Sequence, residues 1–369
     1  MRNQIPEGES SPRTGSGRRT TPLDRVVIVT GASAGVGRAV ATRFARAGDR
    51  IGLIARDAGA LEDARLEAEQ AGAAKVAIAT ADVADPDALF AAAQGLEAEL
   101  GPVDIWVNDA METVFSPLAE MSPEEFRRVT EVTYLGFVHG TMAALKSMRP
   151  RNRGRIVQIG SALAYRGIPL QSAYCGAKHA IRGFTDSVRT ELLHEASKVT
   201  IAMIDLPAVN TPQFDWARVH IDRQPRPMGR PVEPEVVADA VFKAAGGGWR
   251  EYWLGWPTLE TIVGNILWPG ALDRYLGRKA VAGQQTDQPV SPERPDNLFG
   301  PVYALHRTRG SFSGESSNAA VLIPAPLARL TVVGLGALAC VALGMATGRL
   351  RAAAKPGPKL RARRARPAP

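Results

Sequence analysis

The chain has little cysteine, little histidine and few aromatics. Cys175 and Cys340 are its two cysteines in 369 residues. Two are too few for a disulfide framework or a thiolate metal site. The five histidines show no ligand spacing, so no metal centre is expected. The first 22 residues hold no apolar run of the kind a secretory signal requires. Rich in Gly, Ser, Pro and Arg, they read as a disordered arm. Acid is missing at the other end. Of 45 basic residues, eight lie from Arg349 onward with no acid among them, which leaves 37 to balance 37 acidic residues. The net charge of +8 therefore belongs to the tail. No nucleic-acid partner is expected for the body.

What the chain does have is alternation of short apolar runs with helical periodicity. RVVIVT reads as a buried strand, GASAGVG as a turn and AVATRFARAG as an amphipathic helix. Gly31, Gly35 and Gly37 let such a turn tighten and let a pyrophosphate approach the backbone, where a helix N-terminus offers free N–H groups. IGLIAR is the second strand. Dinucleotide folds often end this strand with an acid for the ribose hydroxyls. Here Ala55 stands there, followed by Arg56, which suggests a 2′-phosphate and hence NADP rather than NAD. Further strands are expected at Lys75–Ala79, in DIWVN, in RIVQIG and in VTIAMIDLP. Helices are expected over Leu61–Gln70, near Asp87–Leu100, and between Met121 and Met148 behind Ser122-Pro123-Glu124-Glu125. The fold class is thus α/β, a doubly wound, Rossmann-type parallel sheet.

The most informative stretch is SALAYRGIPLQSAYCGAK, from Ser161 to Lys178. Tyr174 and Lys178 are four residues apart, so a helix puts them on one face. A free tyrosine titrates near 10. A neighbouring ammonium favours the phenolate and would let Tyr174 exchange a proton with a substrate oxygen. A serine hydroxyl can hold that oxygen.

Together these residues resemble the compact, single-domain branch of the short-chain dehydrogenase/reductase family over about residues 22–255. The match is carried by Thr30-Gly31 with Gly35 and Gly37, Asp82-Val83, Asn108-Asp109-Ala110, Ser161, Tyr174, Lys178, and Pro207 with Thr211. The resemblance implies a nicotinamide cofactor and an enzyme that interconverts an alcohol and a carbonyl by hydride transfer. It makes Tyr174 the acid/base, Lys178 the ribose ligand that tunes it, and Ser161 the oxygen binder. Thr133 takes the place of the helix asparagine in the proton relay. Gly31, Ser33, Gly35, Val36, Gly37, Arg56, Asp82, Val83, Asn108, Pro207 and Thr211 are the further cofactor residues. The sequence departs from the family at Asp109, Met111, Thr133 and Ala208. A cofactor-binding protein with impaired catalysis and a regulatory or scaffold role is the alternative reading.

The segment Pro207–Pro231, with Phe214 and Trp216, is a candidate substrate lid. Residues 23–255 form the expected catalytic domain and 256–328 an extension, apolar but broken to about 280 and irregular beyond. Residues 329–369 are an expected membrane helix and basic tail. Leu330–Gly348 holds 19 uncharged residues, about 28 Å as a helix against a hydrocarbon core of roughly 30 Å. The expected setting is a membrane-associated protein with its catalytic body in the cytoplasm, an apolar small-molecule substrate, and a possible homo-oligomer.

Overall fold

The computed structural model describes residues 23–334 and Met345. The N-terminal arm, most of Leu330–Gly348 and the basic tail lie outside the described residues. Among the described residues no helix is long and apolar enough to cross a membrane.

Strand β1 (Val26–Thr30) lies near the middle of an eight-stranded sheet. It is followed by α1 (Gly35–Ala45), β2 (Arg50–Ala55), α2 (Ala58–Ala71), β3 (Lys75–Thr80) and α3 (Pro86–Leu100). Next come β4 (Ile105–Asn108), the short β5 (Val114–Phe115), α4 (Pro123–Thr130) and α5 (Gly136–Met148). Then follow β6 (Arg155–Ile159), α6 (Ser172–His194) and β7 (Thr200–Asp205). The remainder is α7 (Gln213–Trp216), β8 (Arg218–Val219), β9 (Arg223–Pro225), α8 (Pro234–Gly246), β10 (Glu251–Leu254), α9 (Gly255–Leu267), α10 (Pro269–Gly283), β11 (Gln285–Pro289) and β12 (Leu322–Pro324). The large sheet runs β12-β10-β7-β6-β4-β1-β2-β3. All its pairs are parallel except β10 with β12. The order reverses between β1 and β4, where an open α/β sheet leaves a crevice at its strands' C-terminal ends.

Continuous apolar runs make these strands because both faces are covered. Val27 and Val29 pack toward Phe44 of α1 and Val237 of α8. Val26 and Ile28 face the opposite way, with Leu89 and Leu96 of α3 and Ala144 of α5. Helix starts follow local chemistry. Asp57 accepts from Gly59 and Ala60 to cap α2, and Ser122 and Glu125 form a reciprocal box at α4 with Pro123 in its first turn. Helix α1 differs: Ala34 at its cap has no side-chain acceptor.

The described residues between 256 and 324 are built into this body. Residues 285–289, expected to be irregular, pair with β9. Strand β12 adds an antiparallel edge to the main sheet. Three residues ending in Pro324 carry no strand periodicity. An edge position tolerates the proline because its missing N–H faces outward.

Candidate active site

Strand ends and helix starts converge on one cleft of about 830 Å³ at the C-terminal edge of the sheet, a size suited to a cofactor together with a small molecule. Its floor at one end is the turn between β1 and α1. Gly31 and Gly35 have φ of +71° and +56°, the left-handed region that glycine enters without penalty. A Cβ on Gly37 would sit 2.4 Å from the Gly31 carbonyl oxygen, and one on Gly31 would sit 2.8 Å from Ala110 Cα. The turn is therefore packed against itself and the 109–110 backbone too closely for side chains, and its open side at the start of α1 forms a cradle that fits a pyrophosphate. Ser33, Val36, Arg56, Asp82, Val83, Pro207 and Thr211 line the same cleft. Gly37 shapes the cradle from behind rather than lining it.

At the other end stand Ser161, Tyr174 and Lys178. Ser161 follows β6 and accepts from the Leu163 N–H at 3.1 Å, which sets its rotamer. Tyr174 and Lys178 lie on the first turns of α6. The Lys178 ammonium is buried, donates to the Ile159 carbonyl at 2.8 Å and lies 5.5 Å from the Tyr174 ring centroid. The expectation that this ammonium pulls the phenol down is corrected here. Burial pushes the Tyr174 pKa above its ordinary value, with Cys175 and Asp109 adding to the rise and the Ser161 hydroxyl opposing it. Burial also depresses Lys178, partly offset by the carboxylates of Asp109 and Asp205. Burial thus favours the neutral phenol of Tyr174.

Two expected residues do not reach the cleft. Asn108 is fully buried; its Nδ2 donates to Gln158 Oε1 at 2.8 Å and its Oδ1 accepts from Trp106 Nε1 at 2.7 Å. It braces β4 against β6 and α5 and does not contact the cofactor cradle. Thr133 sits in a π-helical turn, Glu131–Leu135, between α4 and α5. Its hydroxyl donates to the Glu112 carbonyl and accepts the Glu112 N–H, both at 2.9 Å. With its hydroxyl donating and accepting there, Thr133 ties the 109–113 loop to the π-turn. A single-turn π-bulge beside a site is a recurrent device for placing such loops.

Two buried acids at the site, Glu112 and Asp205, were not expected from the sequence. Arg56 is held by the Glu112 carboxyl at 2.6 Å and by the Asn297 carbonyl at 2.8 Å. Glu112 is buried, and burial outweighs the Arg56 attraction, raising its pKa to about 8. Asp205 ends β7 wholly buried, and a Cβ on Gly160 would lie 2.3 Å from its Oδ1. Burial raises its pKa to about 7 against the pull of Arg182 and Lys178. An acid closing an apolar strand, IAMID, is the one signal that could have flagged it. The neighbouring Asp109 is likewise pushed up by burial, opposed by Lys178 and the Gly37 N–H.

The substrate end is apolar, with Leu163, Ile168, Phe214, Met228, Leu272 and Leu276 among its lining. The last two come from α10, so the region beyond 255 forms part of this wall.

Comparison with known proteins agrees with this geometry. The model of the short chain dehydrogenase family matches residues 25–219. An uncharacterized oxidoreductase of Bacillus subtilis, YxnA, is 30% identical over 295 residues, 79% of this chain and 82% of that protein. Dehydrogenase/reductase SDR family member 7B of Bos taurus is 36% identical over 269 residues, 69% of this chain and 81% of that protein. Among solved structures, an alcohol dehydrogenase from the archaeon Thermococcus sibiricus, complexed with 5-hydroxy-NADP, superposes with a TM-score of 0.54 at 26% identity, covering 62% of this chain and 95% of that one. The family model spans over half the chain and a relative is matched over most of its length, so the chain belongs to the short-chain dehydrogenase/reductase family and is an NAD(P)-dependent oxidoreductase.

Proposed function

We propose that the protein is an NADP-dependent oxidoreductase that interconverts an apolar alcohol and its carbonyl. The observation that carries this reading is the placement of Ser161, Tyr174 and Lys178 at one end of a cleft whose other end is a glycine cradle beside Arg56. The cofactor supplies the hydride. Ser161 holds the substrate oxygen by a hydrogen bond that strengthens as charge develops there. Tyr174, protonated in its buried site, gives its proton to that oxygen in the reductive direction and takes it back in the oxidative one. Lys178 binds the ribose hydroxyls and stabilises the phenolate formed when Tyr174 gives up its proton. Pro207 and Thr211 flank the nicotinamide end, and Asp82 with Val83 the adenine. Arg56 meets the 2′-phosphate in place of the acid that would select NAD.

Apolar lining from α7 and α10 supports an apolar substrate. The outer faces of α9 and α10 support a body resting on a membrane. Trp256, Ile266, Leu267, Trp268 and Tyr275 are all exposed, and aromatic side chains of this kind favour the lipid–water boundary. In this reading the catalytic body is cytoplasmic and the 330–348 segment with its basic tail holds it to the bilayer.

The test is a direct titration and assay of the full chain in detergent. NADPH is expected to bind more tightly than NADH and to reduce long-chain ketones or aldehydes. Arg56→Ala is expected to weaken NADPH about tenfold, the worth of one charge-assisted contact, and to leave NADH unchanged. Equal affinities in the unaltered protein would refute the NADP reading. Recovery of the full chain in the soluble fraction without detergent or high salt would refute the membrane reading.

A further inference from the structure

The span matched by the family model ends at residue 219, yet a segment far beyond it crosses the nucleotide end of the cleft. Residues 297–312 pass over the cradle, the end of β2 and the 210–217 loop. Both ends of the segment are anchored. Leu298 is fully buried among Val114, Met121 and Val129, and its carbonyl accepts from Arg128 at 3.0 Å. Phe312 packs edge-on against Phe214, and its N–H donates to Asn210 Oδ1 at 3.0 Å. The middle is open to solvent, with Tyr303 82% exposed. A chain fixed at two apolar anchors and exposed between them has the mechanics of a strap.

What the strap holds is specific. The Gly35 N–H donates to the Arg307 carbonyl at 3.1 Å. That N–H is one of the orphan donors at the start of α1, which carries no side-chain cap. Arg38 donates to the carbonyl of His306 at 3.1 Å. The His306 ring lies 3.0 Å from the Asp57 carboxylate and against Trp216, with ring centroids 5.6 Å apart. Arg56 donates to the Asn297 carbonyl at 2.8 Å. The two groups best suited to cofactor phosphates, Gly35 N–H and Arg56, thus both rest on neutral backbone carbonyls of one segment, Arg56 sharing its guanidinium with the Glu112 carboxyl as well. A phosphate oxygen is the stronger acceptor for either.

We infer that residues 297–312 form a strap that gates the cofactor: its Arg307 carbonyl holds the Gly35 N–H, and its Asn297 carbonyl shares the Arg56 guanidinium with Glu112, until phosphates replace both carbonyls. This rests on the assignment of those two groups to the cofactor's phosphates. The Leu298 and Phe312 side chains stay in place while the span between them swings off Gly35; the Asn297 carbonyl, beside the Leu298 anchor, yields Arg56 by local exchange with the phosphate. Cofactor capture and release then both run at the pace of the strap, for NADPH and NADH alike.

Trp216 lines the cleft beside the strap, so its fluorescence reports the event. Stopped-flow mixing of the full chain with increasing NADPH is expected to give a rate that levels off at strap opening, with the same plateau for NADH. Gly310→Ala pushes a Cβ to 2.5 Å from the Thr211 carbonyl oxygen and should wedge the strap outward, raising the plateau about tenfold or more. Arg307→Ala, which removes the 2.7 Å ion pair to Asp215, should raise it less. Should the wedge variant fail to fold, the wild-type plateau and Arg307→Ala decide. A rate that climbs linearly with cofactor and is unchanged in the variants would overturn the strap while leaving the NADP assignment intact. A shared plateau with equal NADPH and NADH affinities would instead sink the Arg56 assignment and leave the gate at Gly35.

Discussion

The two ends of the cleft are built by different rules. The Ser161–Tyr174–Lys178 end is made of side chains from two adjoining elements, β6 and α6, and its key pair is one helical turn apart. The nucleotide end is made largely of backbone groups brought together from distant parts of the chain, Gly35 with Arg307 and Arg56 with Asn297. Local spacing sets the first. Tertiary packing of the C-terminal region sets the second. Changes at the first end should therefore act on turnover, and changes at the second on how cofactor arrives and which one is preferred.

The largest expected effect that sharpens this contrast is at Lys178. Lys178→Ala removes both the ribose ligand and the charge beside Tyr174. It should lower kcat/KM by about 10³ or more, within the range of lost acid–base assistance, and weaken both cofactors equally. Steady-state kinetics with each cofactor check this; a selective loss of NADPH would move Lys178 to the other end of the comparison. Ser161→Ala comes next. It should cost about 10² in kcat with cofactor affinity unchanged, the scale of one lost oxyanion donor. A loss confined to cofactor affinity would contradict the division.

The smallest effect on turnover is expected at Asp205, which lies behind the catalytic end without lining the cleft. Its ordinary pKa is 3.8 and its folded value is raised to about 7. Between these values the folded chain binds more protons than the unfolded one, so Asp205 makes stability fall as pH rises through that window. Asp205→Asn should match the wild type below about pH 4 and be more stable at pH 8, by a few kcal/mol on the order given by such a shift. Turnover should change less than about tenfold, as for a group outside the reacting shell. Thermal melts from pH 4 to 8 check it. A stability difference that stays constant across that range would show that Asp205 is not the titrating group.

The same contrast explains what could be read from the residues alone. The strand–turn–helix at 26–45 and the Tyr174–Lys178 pair were legible because period and spacing determine which face a side chain occupies. Asn108 and Thr133 were expected at the cleft and do not line it, because a motif locates a position without its direction. Strand alternation puts Asn108 on the same face as Trp106, toward α5 and away from the cradle. The Thr133 hydroxyl is taken by the backbone of Glu112, an arrangement created by the π-turn and invisible in residue order. Residues 285–289 and 322–324 form strands only because an edge is available to them. Their composition gives no apolar alternation, and the Asn297 and Arg307 carbonyls carry no side-chain signature at all.

The most direct test of the central claim compares single-turnover hydride transfer in the wild type and in Tyr174→Phe, each saturated with NADPH and an apolar ketone. The account predicts that the phenylalanine variant folds, binds NADPH within about threefold of wild type, and transfers hydride at least about 10² more slowly. Equal transfer rates in the two proteins would contradict it and remove Tyr174 from the chemistry.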